Sequence, residues 1–354
     1  MKKIVEIVGA RPQFIKLAPL SKEIRKYYHE VIIHTGQHFD NEMSKLFFID
    51  LKIPEPRYNF NINGGHHGEQ TGKMLIEIEK VLLEEKPDFV IVFGDTNSTL
   101  AGSLAAAKLG IKSIHIEAGL RSFNRSMPEE INRIVSDHTS DYLFAPTKTA
   151  YNNLKKEGLD DKTFLTGDIM VDSLLQAVKV GDSSVLKDKY SLAEYDYYLC
   201  TLHRPYNVDE PKNLQAILTQ LGQLSKTVLF PVHPRTNQII EKNQISISSN
   251  ISLIKPLGYL DFVLLQSRSY KIITDSGGIQ KEAYILKKPC ITLRSETEWI
   301  ETVELGWNLL INPHKENGIS QRIESFLPSK EHKKIFGANV AKKMIRVINK
   351  NGIQ

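Results

Sequence analysis

Cysteine is scarce in this chain, with two in 354 residues. Cys200 and Cys290 lie far apart in apolar, strand-like runs, which excludes a disulfide framework or a cysteine metal cage. They read as reduced core residues of a cytoplasmic protein, and no metal is expected. Long hydrophobic runs are missing too: none approaches the roughly 20 residues that span a bilayer, so no membrane partner is expected. The opening MKKIVEIVGARP is basic and then briefly apolar, too short a run for a signal peptide. Charge of one sign is in short supply: 46 Lys and Arg against 41 Asp and Glu give +5, spread along the chain. That suits a small anionic ligand and argues against nucleic acid. No GxGxxG follows either leading strand and no P-loop lysine pattern occurs, so NAD and ATP have little support.

What is present is the 41% hydrophobic, 25% charged composition of a globular protein long enough for two domains. Strand-length apolar runs alternate with helix-length amphipathic segments. The strands expected in the first half are Lys3–Val8, Glu30–Thr35, Phe89–Phe93, Ser113–Ile116, Tyr142–Ala145 and Thr163–Thr166. The helical segments between them include Gln13–Tyr28, Gln70–Glu85, Ser98–Leu109 and Pro128–Thr139. After a polar connection within Asp172–Asp196 the pattern restarts at Tyr197–Thr201, Val228–Val232, Ile251–Ile254, Lys271–Thr274 and Cys290–Leu293. Continuous apolar strands alternating with helices predict an α/β protein of two Rossmann-like, doubly wound domains facing across a cleft. The expected boundaries are 1–172 and 173–354, with a last helix at about 338–350 packing back toward the first domain. Ligands of such sheets bind beyond the carboxyl ends of the strands, so strand-to-helix loops are where chemistry is sought.

The first such loop is GARPQFIK, residues 9–16. Gly9 permits a tight turn, Pro12 suits a first helical turn, and Arg11 and Lys16 supply two cations at a helix N-terminus. It reads equally as an anion site or as a turn with solvated charges. FGDTNST follows the strand Phe89–Phe93; Asp95 is either a ligand-facing acid or part of a helix cap made with Thr96, Asn97 or Ser98. HIEAGLRSFNRSMPEEINR adds Glu117 at a strand end, Arg121 in the loop, and Glu129 and Glu130 at the start of a helix with Ser126 as its expected cap. A first-turn acid has a bland explanation in the helix dipole. Yet Asp95, Glu117 and Glu129 issue from one end of one sheet, and three converging acids repel, which predicts a raised pKa on at least one. Acids of unequal pKa suit proton abstraction on one face and delivery on the other.

In the second half, LCTLHRPYN places His203 and Arg204 after a strand, where either can meet a phosphate; a lone His is more often structural, and His233 in PVHPR is a similar case. IITDSGGIQKEAYIL carries Ser276, Gly277 and Gly278 into a helix, an arrangement that lets backbone approach a diphosphate or simply makes a glycine turn. Glu282 lies one turn further on.

In order along the chain, GARPQFIKLAP, GDTNST, HIEAGLRS, PEEINR, APT, TGD, HRPYN, HPRT, DSGGIQKEA and LRSETEW resemble the non-hydrolysing UDP-N-acetylglucosamine 2-epimerase family. The resemblance implies the glycosyltransferase-B architecture, a UDP-sugar substrate, a homodimer and no cofactor. It implies C2 epimerisation, interconverting UDP-GlcNAc and UDP-ManNAc, by anti elimination of UDP and its re-addition. By motif position, Asp95, Glu117 and Glu129 are the acid/base carboxylates, while His203 and His233 attend the leaving diphosphate. Arg11, Lys16, Arg121, Arg204, Ser276, Gly277 and Gly278 contact the substrate. Glu282 meets the ribose, and the Pro256–Phe262 stretch, with Leu257 and Tyr259, lies by the uracil.

Departures from the family pattern refine the expectation. The common GTRPE has Gln13 here, HRREN is HRPYN, and TERPE is replaced by SETEW at Ser295–Trp299. These variants resemble the branch acting on UDP-2,3-diacetamido-2,3-dideoxyglucuronate, whose C6 carboxylate calls for a cation such as Arg125 or Arg294. At the family's regulatory Arg–Gln pair this chain reads HGEQ, with Glu69 before Gln70, so that regulation is not expected. The competing functions are a glycosyltransferase of the same architecture and a non-catalytic UDP-sugar-binding protein.

Overall fold

The computed structural model describes residues 1–37, 48–181, 190 and 193–352 of the chain. Apart from residues 181 and 190, the expected polar connection at 181–191 lies outside the described residues. The chain divides into two compact units, Met1–Ser173 with Lys334–Gln354, and Leu174–Lys333.

The first unit is built on a parallel sheet. Its strands are β1 (Lys3–Val8), β2 (His29–His34), β3 (Tyr58–Asn59), β4 (Phe89–Phe93), β5 (Lys112–Ile116), β6 (Tyr142–Ala145) and β7 (Thr163–Leu165). Their order is β3-β2-β1-β4-β5-β6-β7. The second sheet contains β8 (Tyr197–Thr201), β9 (Thr227–Pro231), β10 (Ile251–Ile254), β11 (Lys271–Thr274), β12 (Cys290–Thr292) and β13 (Asn308–Leu310). Its order, β10-β9-β8-β11-β12-β13, repeats the same winding. The α/β fold of two doubly wound sheets stands as expected. The edge strands β3 and β13, two and three residues long, carry no periodicity that the sequence could reveal.

Each sheet has a switch point where chain progression reverses, between β1 and β4 in the first and between β8 and β11 in the second. Such a point leaves a crevice beyond the strand carboxyl ends. Small residues make the approach to the first one close. Helix Asn97–Lys108 (NSTLAGSLAAAK) lies so near the sheet that a Cβ on Gly102 would sit 2.8 Å from both Ile7 Cδ1 and Val92 Cγ1. On that face Val5, Ile7, Val31, Ile33, Val90 and Val92 pack with Met74, Ile78, Val81 and Leu82 of helix His67–Glu85.

Strand alternation turns Glu6 of β1 to the opposite face. It is fully buried, and burial first, then neighbouring Glu30, pushes its carboxyl well above the ordinary range. The final helix, Val340–Gly352, lies against helix Arg11–Ile24. Asp172 accepts from the amides of Val340 and Ala341 at 3.1 and 2.9 Å, and Tyr28 Oη donates to Asn349 Oδ1 at 2.6 Å. Cys200 and Cys290 are buried and free. Among the described residues no helix is long and apolar enough to cross a membrane.

Candidate active site

The loops after β1, β4 and β5 converge at the first switch point. Gly9 follows β1, and its reason is closeness rather than a special dihedral angle: a Cβ there would lie 2.1 Å from Thr35 Oγ1 and 2.3 Å from Ser98 Oγ. Helix Arg11–Ile24 starts next, with Pro12 in its first turn and Arg11 exposed. Lys16, one turn in, is buried and reaches past Gly94 to form an ion pair with Glu117. Glu117 itself sits at φ +74°, a left-handed backbone that costs a non-glycine residue energy and is held in place by its surroundings. Its amide and that of Ala118 both donate to the Phe144 carbonyl at 3.2 Å.

Asp95 leads into helix Asn97–Lys108, and the cap is Thr96, whose Oγ1 accepts from Thr99 N at 3.3 Å. The Asp95 carboxylate is instead ion-paired with Arg133 Nη2. Arg133 Nη1 meets Glu130 at 2.9 Å, and Asn132 Nδ2 donates to the Asp95 carbonyl at 2.9 Å. Helix Pro128–Thr139 thus ties down the Asp95 turn. Asn132 and Arg133 stand within the PEEINR motif, where the sequence alone draws attention to the acids and gives no sign of these partners.

The paired glutamates of that helix divide. Glu130 is buried and accepts from the amides of Ser122 and Phe123, both at 2.9 Å. Burial opposes its charge, but those amides and Arg133 outweigh it and hold the carboxyl below its ordinary value. Glu129 is exposed. Ser126 does not cap the helix: Met127 takes that position without a side-chain bond, because Pro128 opens the helix, and Ser126 Oγ donates to Asn124 Oδ1 at 2.7 Å.

Arg121, expected to reach the ligand, is engaged elsewhere. Its guanidinium pairs with Asp137 at 2.7 Å and grips Glu157 through Nε and Nη2 at 2.8 and 2.7 Å, leaving its side chain 2% exposed. Asp137 also receives the Gly119 amide at 3.1 Å and His115 Nδ1 at 2.7 Å, while His115 Nε2 meets the Gly94 carbonyl at 2.7 Å. Burial pushes the Asp137 carboxyl up, and His115 and Arg121 more than reverse it. This buried network joins the Asp95 and Glu117 loops from beneath. Two of the three expected acids are thus not bare: Lys16 pairs with Glu117 and Arg133 with Asp95, which relieves the repulsion expected from carboxylates alone.

In the second unit, His203 and Arg204 follow β8, and Asp275 follows β11. Ser276 caps helix Gly277–Ile285 at its backbone; Gly277 is buried and Gly278 exposed. A Cβ on Gly277 would fall 1.8 Å from Glu298 Oε1, so that carboxylate lies against the helix N-terminus, as an anion should. Arg294 Nη1 holds the other oxygen of Glu298 at 2.9 Å. The Ser295–Trp299 segment is anchored by Thr297 Oγ1, which donates to Gln280 Oε1, itself bonded to Asn308. Glu282 accepts from Gln266 Nε2 at 2.7 Å and lies near enough to Tyr259 to raise its phenol, after burial as the larger cause. Leu257 is half-buried just before helix Tyr259–Arg268. His233 caps helix Pro234–Lys242, its Nδ1 accepting from Arg235 N at 3.3 Å. Among the described residues no cluster of His, Cys, Asp or Glu is arranged to hold a metal.

Residues 22–349 match the family model described as UDP-N-acetylglucosamine 2-epimerase. The chain belongs to the UDP-N-acetylglucosamine 2-epimerase family. It is therefore an epimerase, an isomerase by reaction class. It is 54% identical over 335 residues to the UDP-N-acetylglucosamine 2-epimerase homolog of Methanococcus maripaludis, covering 93% of this chain and 94% of that one. It is 49% identical over 318 residues to the UDP-2,3-diacetamido-2,3-dideoxy-D-glucuronate 2-epimerase of Pseudomonas aeruginosa, covering 87% and 88%. The crystal structure of the Methanocaldococcus jannaschii UDP-GlcNAc 2-epimerase in complex with UDP-GlcNAc and UDP superposes with a TM-score of 0.82 at 45% identity, covering 99% and 100%.

Two departures from this epimerase family's pattern have a local cause. Gln13 Oε1 accepts from Gly9 N at 2.7 Å and Ala10 N at 3.0 Å, while its Nε2 donates to the Phe93 carbonyl at 2.8 Å. A carboxylate has no donor for that carbonyl, so the amide fits these neighbours. In the HGEQ segment, Gln70 accepts from Asn97 Nδ2 at 2.7 Å, and Glu69 forms a surface pair with Lys73.

Proposed function

We propose that this protein interconverts UDP-GlcNAc and UDP-ManNAc by inverting C2, with no nicotinamide or metal. A carboxylate takes the C2 proton, the C1=C2 double bond forms, and the C1–O bond breaks to release UDP. UDP then re-adds at C1 while another carboxylate returns a proton to the opposite face of C2. Asp95, Glu117 and Glu129 are the acids of this reading. Arg11, Lys16, Arg204, Ser276, Gly277 and Gly278 hold the diphosphate, Glu282 holds the ribose, and Leu257 and Tyr259 border the uracil. His203 donates to the departing diphosphate; His233, as a helix cap, has a lesser part. The acids belong to domain 1–172 and the UDP site to domain 173–354, of which residues 334–354 group with the first unit; the protein acts as a homodimer in the cytoplasm.

The observation that carries the reading is the interleaving of Lys16 with Glu117 and of Arg133 with Asp95 at one switch point. Fixed cations beside proton-moving acids suit a reaction that generates an anionic leaving group, where electrostatic stabilisation is a large term. A second substrate deserves parallel assay. The SETEW segment and the 49% identity with the Pseudomonas enzyme favour UDP-2,3-diacetamido-2,3-dideoxyglucuronate, with exposed Arg125 or buried Arg294 near its carboxylate.

The test is incubation of the purified protein, without added cofactor, with each UDP-sugar in deuterated water, followed by NMR. Deuterium at C2 together with the manno epimer is expected. Absence of exchange with both sugars would sink the proposal. Asp95→Asn should abolish exchange and leave UDP affinity within about threefold. Transfer to an added acceptor without C2 exchange would indicate a glycosyltransferase.

A further inference from the structure

β8 and β11 are hydrogen-bonded neighbours, so the residues just past their carboxyl ends meet at the second switch point. There Asp275 is fully buried while the His203 side chain is 51% exposed. His203 Nδ1 lies 2.9 Å from Asp275 Oδ1. The remaining contacts of the carboxylate are donors as well: the amides of His203 at 3.1 Å and Arg204 at 3.0 Å, and Asn207 Nδ2 at 3.0 Å. Burial alone pushes the Asp275 carboxyl up; the His203 ring, Asn207 and the Arg204 amide outweigh it and hold it below its ordinary value. Asp275 is thus a carboxylate whose partner at Nδ1 must be an N–H. With Nδ1 turned inward, Nε2 is the nitrogen left for a ligand.

We infer that Asp275 is a positioning residue that holds Nδ1–H and so orients the His203 ring, which as the imidazolium presents Nε2–H to the departing diphosphate. The inference rests on the reading of His203 given above. As the C1–O bond breaks, the Nε2 proton passes to the diphosphate oxygen and leaves the neutral Nδ1–H ring, which Asp275 continues to hold. When the bond re-forms, the proton returns to Nε2. A carboxylate behind a histidine performs the same orienting task in hydrolytic triads, where replacing it by an amide installs the wrong tautomer. The strand order, rather than any short motif, brings the pair together: His203 and Asp275 are separated by 72 residues.

The alternative is that Asp275 merely staples the loop by receiving two backbone amides. Asp275→Asn separates the roles, because its oxygen still accepts those amides while its NH2 faces Nδ1. In protein labelled with 15N-histidine, the neutral ring of wild-type His203 is expected to carry its proton on Nδ1, and that of Asp275→Asn on Nε2. With the UDP-sugar, kcat of the variant should fall by about 10²-fold or more, KM and UDP affinity moving little. The double variant with His203→Gln should be no slower than His203→Gln alone, within about threefold, since Asp275 acts only through the ring.

Additive losses, or an unchanged His203 spectrum in Asp275→Asn, overturn the inference. If Asp275→Asn does not fold, the wild-type spectrum still decides: an Nδ1 without a proton overturns it. Full activity of His203→Gln would remove the role of both residues. It would leave C2 exchange, read separately in deuterated water, untouched.

Discussion

Lys16 and Glu117 neutralise each other, with side chains only 9% and 16% exposed. The pair joins the start of the first helix to the end of β5 across the Asp95 turn, a meeting made possible because β4 lies between β1 and β5. Replacing Lys16 by Met leaves the carboxylate without its cation and removes a charge from the expected phosphate site. The expected result is a loss of about 10²-fold or more in kcat/KM and weaker UDP binding by calorimetry. Wild-type values for both would show that the pair has no part in the reaction.

Arg133 uses two nitrogens for two different acids, Asp95 and Glu130. A lysine ammonium can approach one of them but cannot reproduce the planar fork. Arg133→Lys should therefore lower kcat by about tenfold to a hundredfold with KM little changed, as for loss of alignment of a catalytic group. A change confined to KM would place Arg133 in binding instead.

Glu6 predicts a pH dependence. Its folded value is raised above an ordinary one of 4.5, by burial first and Glu30 second. Above that ordinary value the unfolded chain releases a proton that the folded chain retains. The contribution to stability is therefore complete below it and diminishes as pH rises toward the folded value. Glu6→Gln removes the titration, so the variant should gain Tm relative to wild type on going from about pH 5 to about pH 8, by about 2–4 °C per kcal/mol. Parallel melts at the two pH values check this, and a constant Tm difference would contradict it.

The doubly wound sheets were legible because strands buried on both faces leave continuous apolar runs such as FVIVF, and the motifs fell where such sheets bind ligands. Of the short edge strands, β7 was expected at Thr163–Thr166, while β3 and β13, two and three residues long, were not legible. Nor were long-range partners. Arg121 reads as a loop cation until Glu157, 36 residues on, is seen to hold it. Arg133 and Asp275 lie inside the PEEINR and DSGGIQKEA motifs, but their partners, Asp95 and His203, are 38 and 72 residues away. Gly9 was singled out for the wrong reason, because crowding by Thr35 and Ser98 depends on two other segments.

The helix that lies on Arg11–Ile24 is supplied by Val340–Gly352, with the whole second sheet made in between. On the ribosome, the strands and helices of residues 1–173 therefore emerge long before the surface that covers their first helix has been synthesised. The second unit, by contrast, is a single uninterrupted stretch and can be completed while the first is still waiting. Met344, Ile345 and Ile348 of that helix, buried in the folded protein, reach the first unit only after the second sheet has been made, and a chain stalled or nicked before them would display an unmatched apolar surface to chaperones and proteases.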